Sequence, residues 1–382
     1  MKIRSLLLAG ALGVCATHLA QAATQYIYVT GSTAARNAFF NAATNGTTVF
    51  DATPTFVTQG SADPSKASYM NISGNLSSVP TVIKCHWSGS EGGIADLAGS
   101  GTEQFLDDTA GNSLSSSTPG PFISSAVDLA MADNDKAFSR NPTAAITGVK
   151  VCVIPFKWEK ELGSAANLSD VTDQAFRQAI VGGGTLALFT GNSADTTFVY
   201  VSGRDNQSGT RVNEYGITGF GIFSAPSQVQ VSANGSMVTQ SGGAVLGDYG
   251  YSGGGGLATQ MGFDLGQSTA VDITPNGTGV EKYSVIALLG LSDAATAEAN
   301  GGAPLTYNGI AYSTAAVKEG QWNAWGNEFL YRKNTVSSQA LSVFNKLTAA
   351  GGISGHADGT FTIKLSDMHA VRNGPTSDPV HL

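Results

Sequence analysis

Charged residues are scarce in this sequence. Only 13% of the 382 residues are Asp, Glu, Lys or Arg, whereas a typical globular protein has about 25%. Lysine and arginine together number 20 against 28 acidic residues, which gives a formal net charge of −8. Nucleic-acid binding needs a basic surface, so this balance argues against it. A small anion can still bind, because its site depends on local charges and dipoles.

Cysteine and the usual cofactor motifs are also rare or missing. Beyond the N-terminal segment the cysteines are Cys85 and Cys152. An oxidising compartment would let them pair, but their positions in the sequence leave that open. The chain has no phosphate-binding loop and no H-E-x-x-H motif, and residues 133–135 are too short for a calcium loop. We therefore expect no cofactor and no metal.

Long apolar runs are absent after the N-terminus. The apolar stretch that follows Lys2 and Arg4 is too short to span a bilayer. It is followed by Ala20-Gln21-Ala22, a small-x-small cleavage pattern. These features predict a cleavable signal peptide over residues 1–22 and an exported, periplasmic protein, although release from the cell stays open.

A strand, then a small-residue turn, then a helix recurs three times along the chain. The strands are expected at 26–29, 81–85 and 198–201, before the turns Gly31-Ser32-Thr33, Ser88–Gly93 and Ser208-Gly209-Thr210. Further buried strands are expected at 127–131, 149–155 and 283–291. This alternation predicts an α/β fold with mainly parallel sheets.

Three other segments have a distinct composition. Residues 99–121 are rich in Gly, Ser and Thr and are expected to form a surface insertion. Residues 224–256 are polar and glycine-rich, which indicates loops or a short hairpin. The spacing of apolar residues over 322–347 predicts two helices.

Each of the three turns is a candidate anion site. The first turn of a helix has unpaired N–H groups and the positive end of the helix dipole. Glycine lets an anion approach the backbone, and Ser or Thr adds a hydroxyl donor. Such turns are also ordinary helix caps. Arg204 and Asp133 favour a ligand site, because Arg204 precedes the third turn and can bind an oxyanion in a bidentate manner. Arg204 as a surface residue paired with Asp205, and Asp133 as a helix cap, are the structural alternatives.

Around these residues the chain resembles the periplasmic phosphate-binding protein of the bacterial ABC-type phosphate transporter. Residues 204–210 are similar to the family's Arg-x-x-x-Ser-Gly-Thr loop, and residues 127–133 are similar to its segment that ends in a ligand-accepting aspartate. Both match without a gap. Residues 89–93 and 31–34 resemble the two Gly-Ser turns of the family, and all four motifs occur in its order.

The resemblance implies a type 2 periplasmic-binding-protein fold of two lobes with two strand crossings between them. Lobe one would comprise residues 23–153 plus 285–382, and lobe two residues 154–284. It implies a monomer that is not an enzyme and that binds inorganic phosphate between the lobes. An ABC permease in the inner membrane would be its partner. Another oxyanion or a phosphorylated solute is the alternative ligand.

The resemblance also implies the site residues. They are Thr33, Ala34, Ser90, Asp133, Arg204, Ser208, Gly209 and Thr210. Asp133 would accept the proton that phosphate keeps near neutral pH. Sulfate has no such proton, so the buried carboxylate would face it unpaired, which costs several kcal/mol.

The chain departs from the family pattern at three positions. Glu91 replaces a second serine, and we expect it to point to solvent and to complement the helix dipole. Asn206 replaces an acidic residue, and Ala34 a bulkier one.

Two other functional classes compete with this interpretation. Gly250–Gly254 matches the G-x-S-x-G pattern of a serine esterase with Ser252 as nucleophile, and His356, His369 and His381 are later in the chain. The segment before it is not a buried strand, so a glycine-rich turn before a helix from Leu257 is the simpler interpretation. An exported protein that keeps the fold without the ligand is the other alternative.

Overall fold

The computed structural model describes residues 22–99, 101–110, 120–226, 228–231, 237–240, 250–263, 271–273, 279–281 and 283–382. The predicted signal peptide lies outside the described residues, apart from its last position, and so do parts of the two glycine-rich segments. None of the described helices has the length and hydropathy needed to cross a membrane.

Strands and short helices alternate through the first part of the chain. The elements up to residue 201 are β1 (Gln25–Gly31), α1 (Arg36–Thr44), β2 (Thr55–Gln59), β3 (Tyr69–Leu76), β4 (Val79–His86), α2 (Ser90–Ala98), β5 (Glu103–Leu106), β6 (Phe122–Ser125), β7 (Leu129–Ala132), β8 (Ile146–Lys160), β9 (Asp170–Val171), α3 (Asp173–Ala179), β10 (Gly184–Thr185), α4 (Ala187–Thr190) and β11 (Phe198–Val201).

The same alternation continues towards the C-terminus. The remaining elements are α5 (Gly209–Ile217), β12 (Gln228–Val231), β13 (Met237–Gln240), α6 (Gly254–Gln260), β14 (Val271–Ile273), β15 (Gly279–Glu281), β16 (Tyr283–Gly290), α7 (Leu291–Ala299), β17 (Ala303–Pro304), β18 (Thr306–Tyr307), α8 (Thr314–Lys318), β19 (Trp325–Lys333), α9 (Ser338–Thr348), β20 (Ala370–Val371) and β21 (Val380–His381). Three 3₁₀ turns lie at Lys136–Phe138, Ser354–His356 and Leu365–Asp367.

One large mixed sheet organises the described residues. Its strand order is β10-β11-β16-β8-β19-β7-β1-β4-β3-β2, with β17 beside β8. The pairs β1–β4, β1–β7 and β11–β16 are parallel, and the other pairs in this sheet are antiparallel. The prediction of mainly parallel sheets was therefore wrong, while the α/β class is confirmed. In this sheet each parallel pair includes at least one strand that leads into a predicted binding segment, namely β1, β4, β7 or β11.

The long strand β8 connects two groups of strands. One group is β19, β7, β1, β4, β3 and β2, and the other is β16, β11 and β10. Its first part, up to Pro155, pairs with β19, and its last part, Phe156–Lys160, pairs with β16. Its apolar middle is buried, and every residue of β16 is buried, as expected for a continuous apolar run between covering layers. The tryptophans Trp158, Trp322 and Trp325 are fully buried in the main core.

The register of β1, β4 and β7 places three predicted site segments side by side. Thr30 lies opposite His86, and Gly31 lies opposite Met131. Since these strands are parallel, their carboxyl ends share one edge of the sheet, where α/β proteins bind ligands. The N–H of Gly89 donates to the carbonyl of Gly31 at 2.8 Å, which joins the first two turns.

Two expectations about secondary structure were wrong. Of the two helices predicted over 322–347, only α9 forms, because residues 325–333 are the strand β19. Its residues are buried on both faces of the sheet, and periodicity cannot distinguish such a strand from a buried helix. The segment 99–121 is not merely a surface insertion, since Phe105 and Leu106 are fully buried in β5.

Cys85 and Cys152 are both buried and free. They lie in β4 and β8, which are separated in the sheet order by β1, β7 and β19. Burial raises the pKa of both thiols. The two cysteines therefore act as small apolar core residues in this structure.

Gly31 allows β1 to end directly against β7. Its φ is +113°, and a Cβ at this position would lie 2.0 Å from the carbonyl oxygen of Met131. The same carbonyl accepts the N–H of Ser32 at 2.8 Å. A side chain at residue 31 would therefore push β1 away from β7 at the point where the first turn begins.

Replacing Gly31 with alanine should lower the free energy of unfolding by about 3–4 kcal/mol. The alanine would be strained at this positive φ, and the backbone of β7 would also have to move away from its Cβ. Gly46→Ala is the matched control: Gly46 also has a positive φ, of +52°, but an added Cβ meets no atom within 4 Å. It should cost about 1–2 kcal/mol. Urea unfolding followed by tryptophan fluorescence measures both, and equal losses would contradict the close approach.

Candidate functional site

Asp133 is at the centre of the candidate site. It directly follows β7 and is only 2% exposed. The Ser90 hydroxyl donates to its Oδ1 at 2.7 Å, and the Asp133 N–H donates to Ser90 Oγ at 3.1 Å. The Thr210 hydroxyl makes a longer contact, 3.5 Å, with Oδ2. Hydroxyl donors from the second turn (Ser90) and the third turn (Thr210) therefore converge on one carboxylate.

Gly209 lies directly against this carboxylate. A Cβ on Gly209 would be 1.6 Å from Asp133 Oδ1 and 2.7 Å from Ser90 Cβ. The Nδ2 of Asn213 donates to the carbonyls of Asp133 and Gly209, at 2.9 and 3.0 Å. Asn213 was not predicted from the sequence. It follows Gly209 by one helical turn in α5, and it fastens that helix to the end of β7.

The electrostatics of Asp133 follow from burial. Desolvation raises the pKa of its carboxyl to about 6, while the Ser90 hydrogen bond, the charge of Arg204 and the Thr210 hydrogen bond lower it. Burial outweighs these stabilising contacts because it penalises the charged form most strongly. Near neutral pH the Asp133 carboxylate therefore accepts a proton more readily than an ordinary aspartate does.

Arg204 lies inside the molecule, 4% exposed. Its Nε donates to the carbonyl of Tyr251 at 2.9 Å and its Nη2 to the carbonyl of Ser252 at 2.8 Å. Its positive charge partly offsets the rise in pKa that burial causes at Asp133 and at Asp293. The alternative of a surface arginine was therefore wrong.

The first turn contributes less directly than expected. The Ala34 N–H donates to Ser32 Oγ at 3.3 Å, and the Ser32 hydroxyl donates to Glu328 Oε2 at 3.2 Å. Glu328 is fully buried, and burial raises the pKa of its carboxyl. Ser32 and Glu328 were not predicted as part of the site. Thr33 is partly exposed and lines the cavity described below.

Ser208 and Glu91 have structural partners. Ser208 caps α5, with its Oγ accepting the N–H of Arg211 at 3.3 Å. Glu91 is 4% exposed, and its two carboxylate oxygens accept Asn134 Nδ2 at 2.8 Å and the Arg140 N–H at 3.0 Å. The expectation that Glu91 points to solvent was wrong, since its side chain is buried. The two donors compensate the cost of burying the carboxylate. Burial still raises its pKa.

Gln207 connects the two strand groups through its backbone. Its carbonyl accepts the N–H groups of Glu91 and Gly92, at 2.9 and 3.4 Å. The loop before α5 thus contacts the N-terminus of α2, so amides of the second turn are paired within the protein. Gly89 permits this approach, since its φ is +101° and a Cβ there would lie 2.6 Å from the Gln207 carbonyl oxygen.

Ser90, Asp133, Gly209 and Thr210 form what we call the Asp133 cluster. A cavity of about 580 Å³ is connected to it through Ser252, whose carbonyl accepts from Arg204. Its lining includes Thr33 from the first turn, Ser88 from the second, Gln207 just before the third, and Ser252. The first two predicted turns and the residue before the third therefore reach this cleft, although Asp133 itself is not part of its wall.

The esterase arrangement is not formed by the described residues. Ser252 lies in the turn before α6 (Gly254–Gln260). His356 contacts Asn45, whereas His369 and His381 both contact Glu319, and none of the three hydrogen bonds to Ser252. The described residues also contain no His, Cys, Asp and Glu cluster suited to a metal ion.

Comparisons with known proteins give structural matches but no sequence match. No family model and no curated protein matches the chain. A structure described as the substrate-binding protein of a phosphate ABC transporter from Clostridium perfringens, with bound phosphate, is 13% identical. The match covers 89% of this chain and all of that one, with a TM-score of 0.51.

A second solved structure is an ABC-type phosphate transport receptor from Vibrio cholerae. It is 10% identical, and the match covers 89% of this chain and 99% of that chain with a TM-score of 0.45. The match to the C. perfringens protein, with a TM-score of 0.51, defines the fold. The predicted two-lobed α/β fold is confirmed, because this chain shares the fold of the C. perfringens protein.

Proposed function

We propose that this chain is an exported solute-binding protein that captures inorganic phosphate between its two lobes for an ABC-type importer. The observation that carries the proposal is the buried Asp133 carboxylate, which receives hydroxyl donors from both strand groups and lies within electrostatic range of Arg204. The bound phosphate in the structurally similar C. perfringens protein supports the same ligand.

Binding would exchange internal hydrogen bonds for bonds to the ligand. The hydroxyls of Ser90 and Thr210, which now donate to Asp133, would donate to phosphate oxygens. The phosphate would in turn donate its proton to Asp133. Arg204 would supply the opposite charge. Thr33 and the amides of Ala34, Gly209 and Thr210 would complete the set, with Ser208 holding the loop.

The direct contact of Gly209 with Asp133 implies that the lobes must move apart before phosphate reaches the carboxylate. Hinge opening and closure is the usual motion of two-lobed binding proteins. The proposed lobes are residues 23–153 plus 285–382 and residues 154–284. The pairing of β8 with strands of both groups supports a hinge within that strand.

The location and partners follow from the same proposal. Cleavage after Ala22 would release a monomeric protein into the periplasm, where it would deliver phosphate to a permease in the inner membrane. The protein would perform no covalent chemistry.

Isothermal titration of residues 23–382 tests the ligand. We expect phosphate and arsenate to bind and sulfate to bind much more weakly, since sulfate offers Asp133 no proton. Asp133→Asn should narrow the phosphate-over-sulfate preference at least about tenfold, or about 1.4 kcal/mol. Asp358→Asn, the same change at an exposed carboxylate, is the control. Absence of phosphate binding would refute the proposed ligand. An unchanged phosphate-over-sulfate preference in Asp133→Asn would refute the role proposed for Asp133.

The pH dependence of stability tests the state of Asp133 without ligand. Its folded pKa of about 6 exceeds the ordinary value of 3.8, so folding favours the protonated carboxyl. The contribution of the protonated Asp133 carboxyl to the free energy of unfolding is complete below about pH 4 and is lost as pH rises through about 6. The free energy of unfolding of Asp133→Asn, relative to the natural protein, should therefore increase by about 2–3 kcal/mol between pH 4 and pH 7. Urea unfolding in phosphate-free buffer measures this, and a constant difference would contradict the raised pKa.

A further inference from the structure

The cavity beside the Asp133 cluster is larger than inorganic phosphate requires. Its volume of about 580 Å³ lies within the range of about 300–1,000 Å³ that is typical of sites for small organic ligands. A single tetrahedral anion would occupy a small fraction of it. Thr33 lines this space, and the carbonyl of the wall residue Ser252 accepts a hydrogen bond from Arg204. Asp133 itself does not line it, so a ligand bound at Asp133 after the lobes move apart would extend towards the cavity.

Arg36 presents a fixed cation to this cavity. Its Nε donates to the Thr33 carbonyl at 2.9 Å, and its Nη1 donates to the Ala67 carbonyl at 3.0 Å. These bonds hold the guanidinium at the start of α1. The remaining nitrogen, Nη2, has no protein partner among the described residues, and is available to donate to a ligand oxygen.

Asp293 presents a carboxylate to the same cavity from the first turn of α7. Burial raises its pKa, and the charges of Arg36 and Arg204 oppose that shift. Within the described residues the carboxylate makes neither a hydrogen bond nor an ion pair, although Gly254 packs closely against it, with a Cβ position only 1.8 Å from Oδ2. A half-buried carboxylate without donors is costly, and ligand hydroxyls would supply them.

The rest of the lining suits a small polar organic group. Tyr69 and His86 stack with ring centroids 4.2 Å apart and an interplanar angle of 9°, and they form a flat aromatic wall beside Trp87. The other walls carry hydroxyls, glycine backbone and the charged side chains Lys66 and Glu103. Aromatic surface with a few convergent polar groups is the usual composition of an organic ligand site.

We infer that the cleft also binds phosphate monoesters of small polyols, such as sugar phosphates. The phosphate group would lie at the Asp133 and Arg204 cluster, and the polyol would occupy the cavity with its hydroxyls between Arg36 and Asp293. A hydroxyl fits this pair because it accepts from the guanidinium and donates to the carboxylate. This inference rests on the proposed phosphate site and extends its ligand range.

Competing titrations with glucose 6-phosphate, inorganic phosphate and glucose test the inference at pH 6, where a phosphate monoester still carries part of its proton. We expect both phosphates to bind and glucose alone not to bind. Asp293→Asn should raise the ratio of the glucose 6-phosphate Kd to the phosphate Kd about tenfold. The ratio cancels any change in the charge around Arg204 that affects both ligands alike.

A second variant fills the cavity from a different side. Gly255 lines it, and a Cβ there meets no atom within 4 Å, so Gly255→Phe should abolish glucose 6-phosphate binding while phosphate still binds. Gly351→Phe is the control, because Gly351 has equally open space and does not line the cavity.

The outcomes separate the two proposals. Phosphate binding without glucose 6-phosphate binding would overturn the inference and leave the proposed function intact. An unchanged Kd ratio in Asp293→Asn, with glucose 6-phosphate still bound by Gly255→Phe, would also overturn it. Failure of both phosphates to bind the natural protein would instead overturn the proposed function.

Discussion

The burial of the Asp133 carboxylate between two strand groups is the constraint on which the site depends. A carboxylate that is 2% exposed needs donors, and here they are the hydroxyls of Ser90 and Thr210 from opposite groups. A ligand that carries both acceptor oxygens and a proton can replace those internal bonds, whereas a ligand without a proton leaves the carboxylate unpaired. In the proposed function, selectivity and the coupling of binding to lobe movement would therefore have the same physical origin.

Small residues make that arrangement possible. Gly31 lets β1 approach β7, Gly89 lets the second turn meet Gln207, and Gly209 lets α5 approach Asp133. At each position the nearest atom to an added Cβ would be backbone or a buried carboxylate oxygen. The glycine content of these turns thus serves close contact between segments distant in the sequence, in addition to turn formation.

The neighbouring cavity extends this chemistry without repeating it. The Asp133 cluster is compact and internally bonded, while Arg36 and Asp293 line the cavity as a cation and an anion that interact through their charges. Arg204 joins the two regions, because its charge acts on both carboxylates and its guanidinium is held by the cavity wall. Under the proposed function, one cleft would therefore recognise a phosphate group and a polar substituent with different residues.

The sequence by itself determined the α/β class and the segments around Ser90, Asp133, Arg204 and Gly209, because strand, turn and helix signals are local and the loop motifs are contiguous. It did not determine the mixed strand pairing, the strand β19, or the roles of Asn213 and Glu328. Only the tertiary structure decided that Glu91 is buried and that Arg36 and Asp293 share a cavity. Those properties depend on which distant segments pack together, and burial and hydrogen-bond partners of that kind leave no periodic signal in the chain.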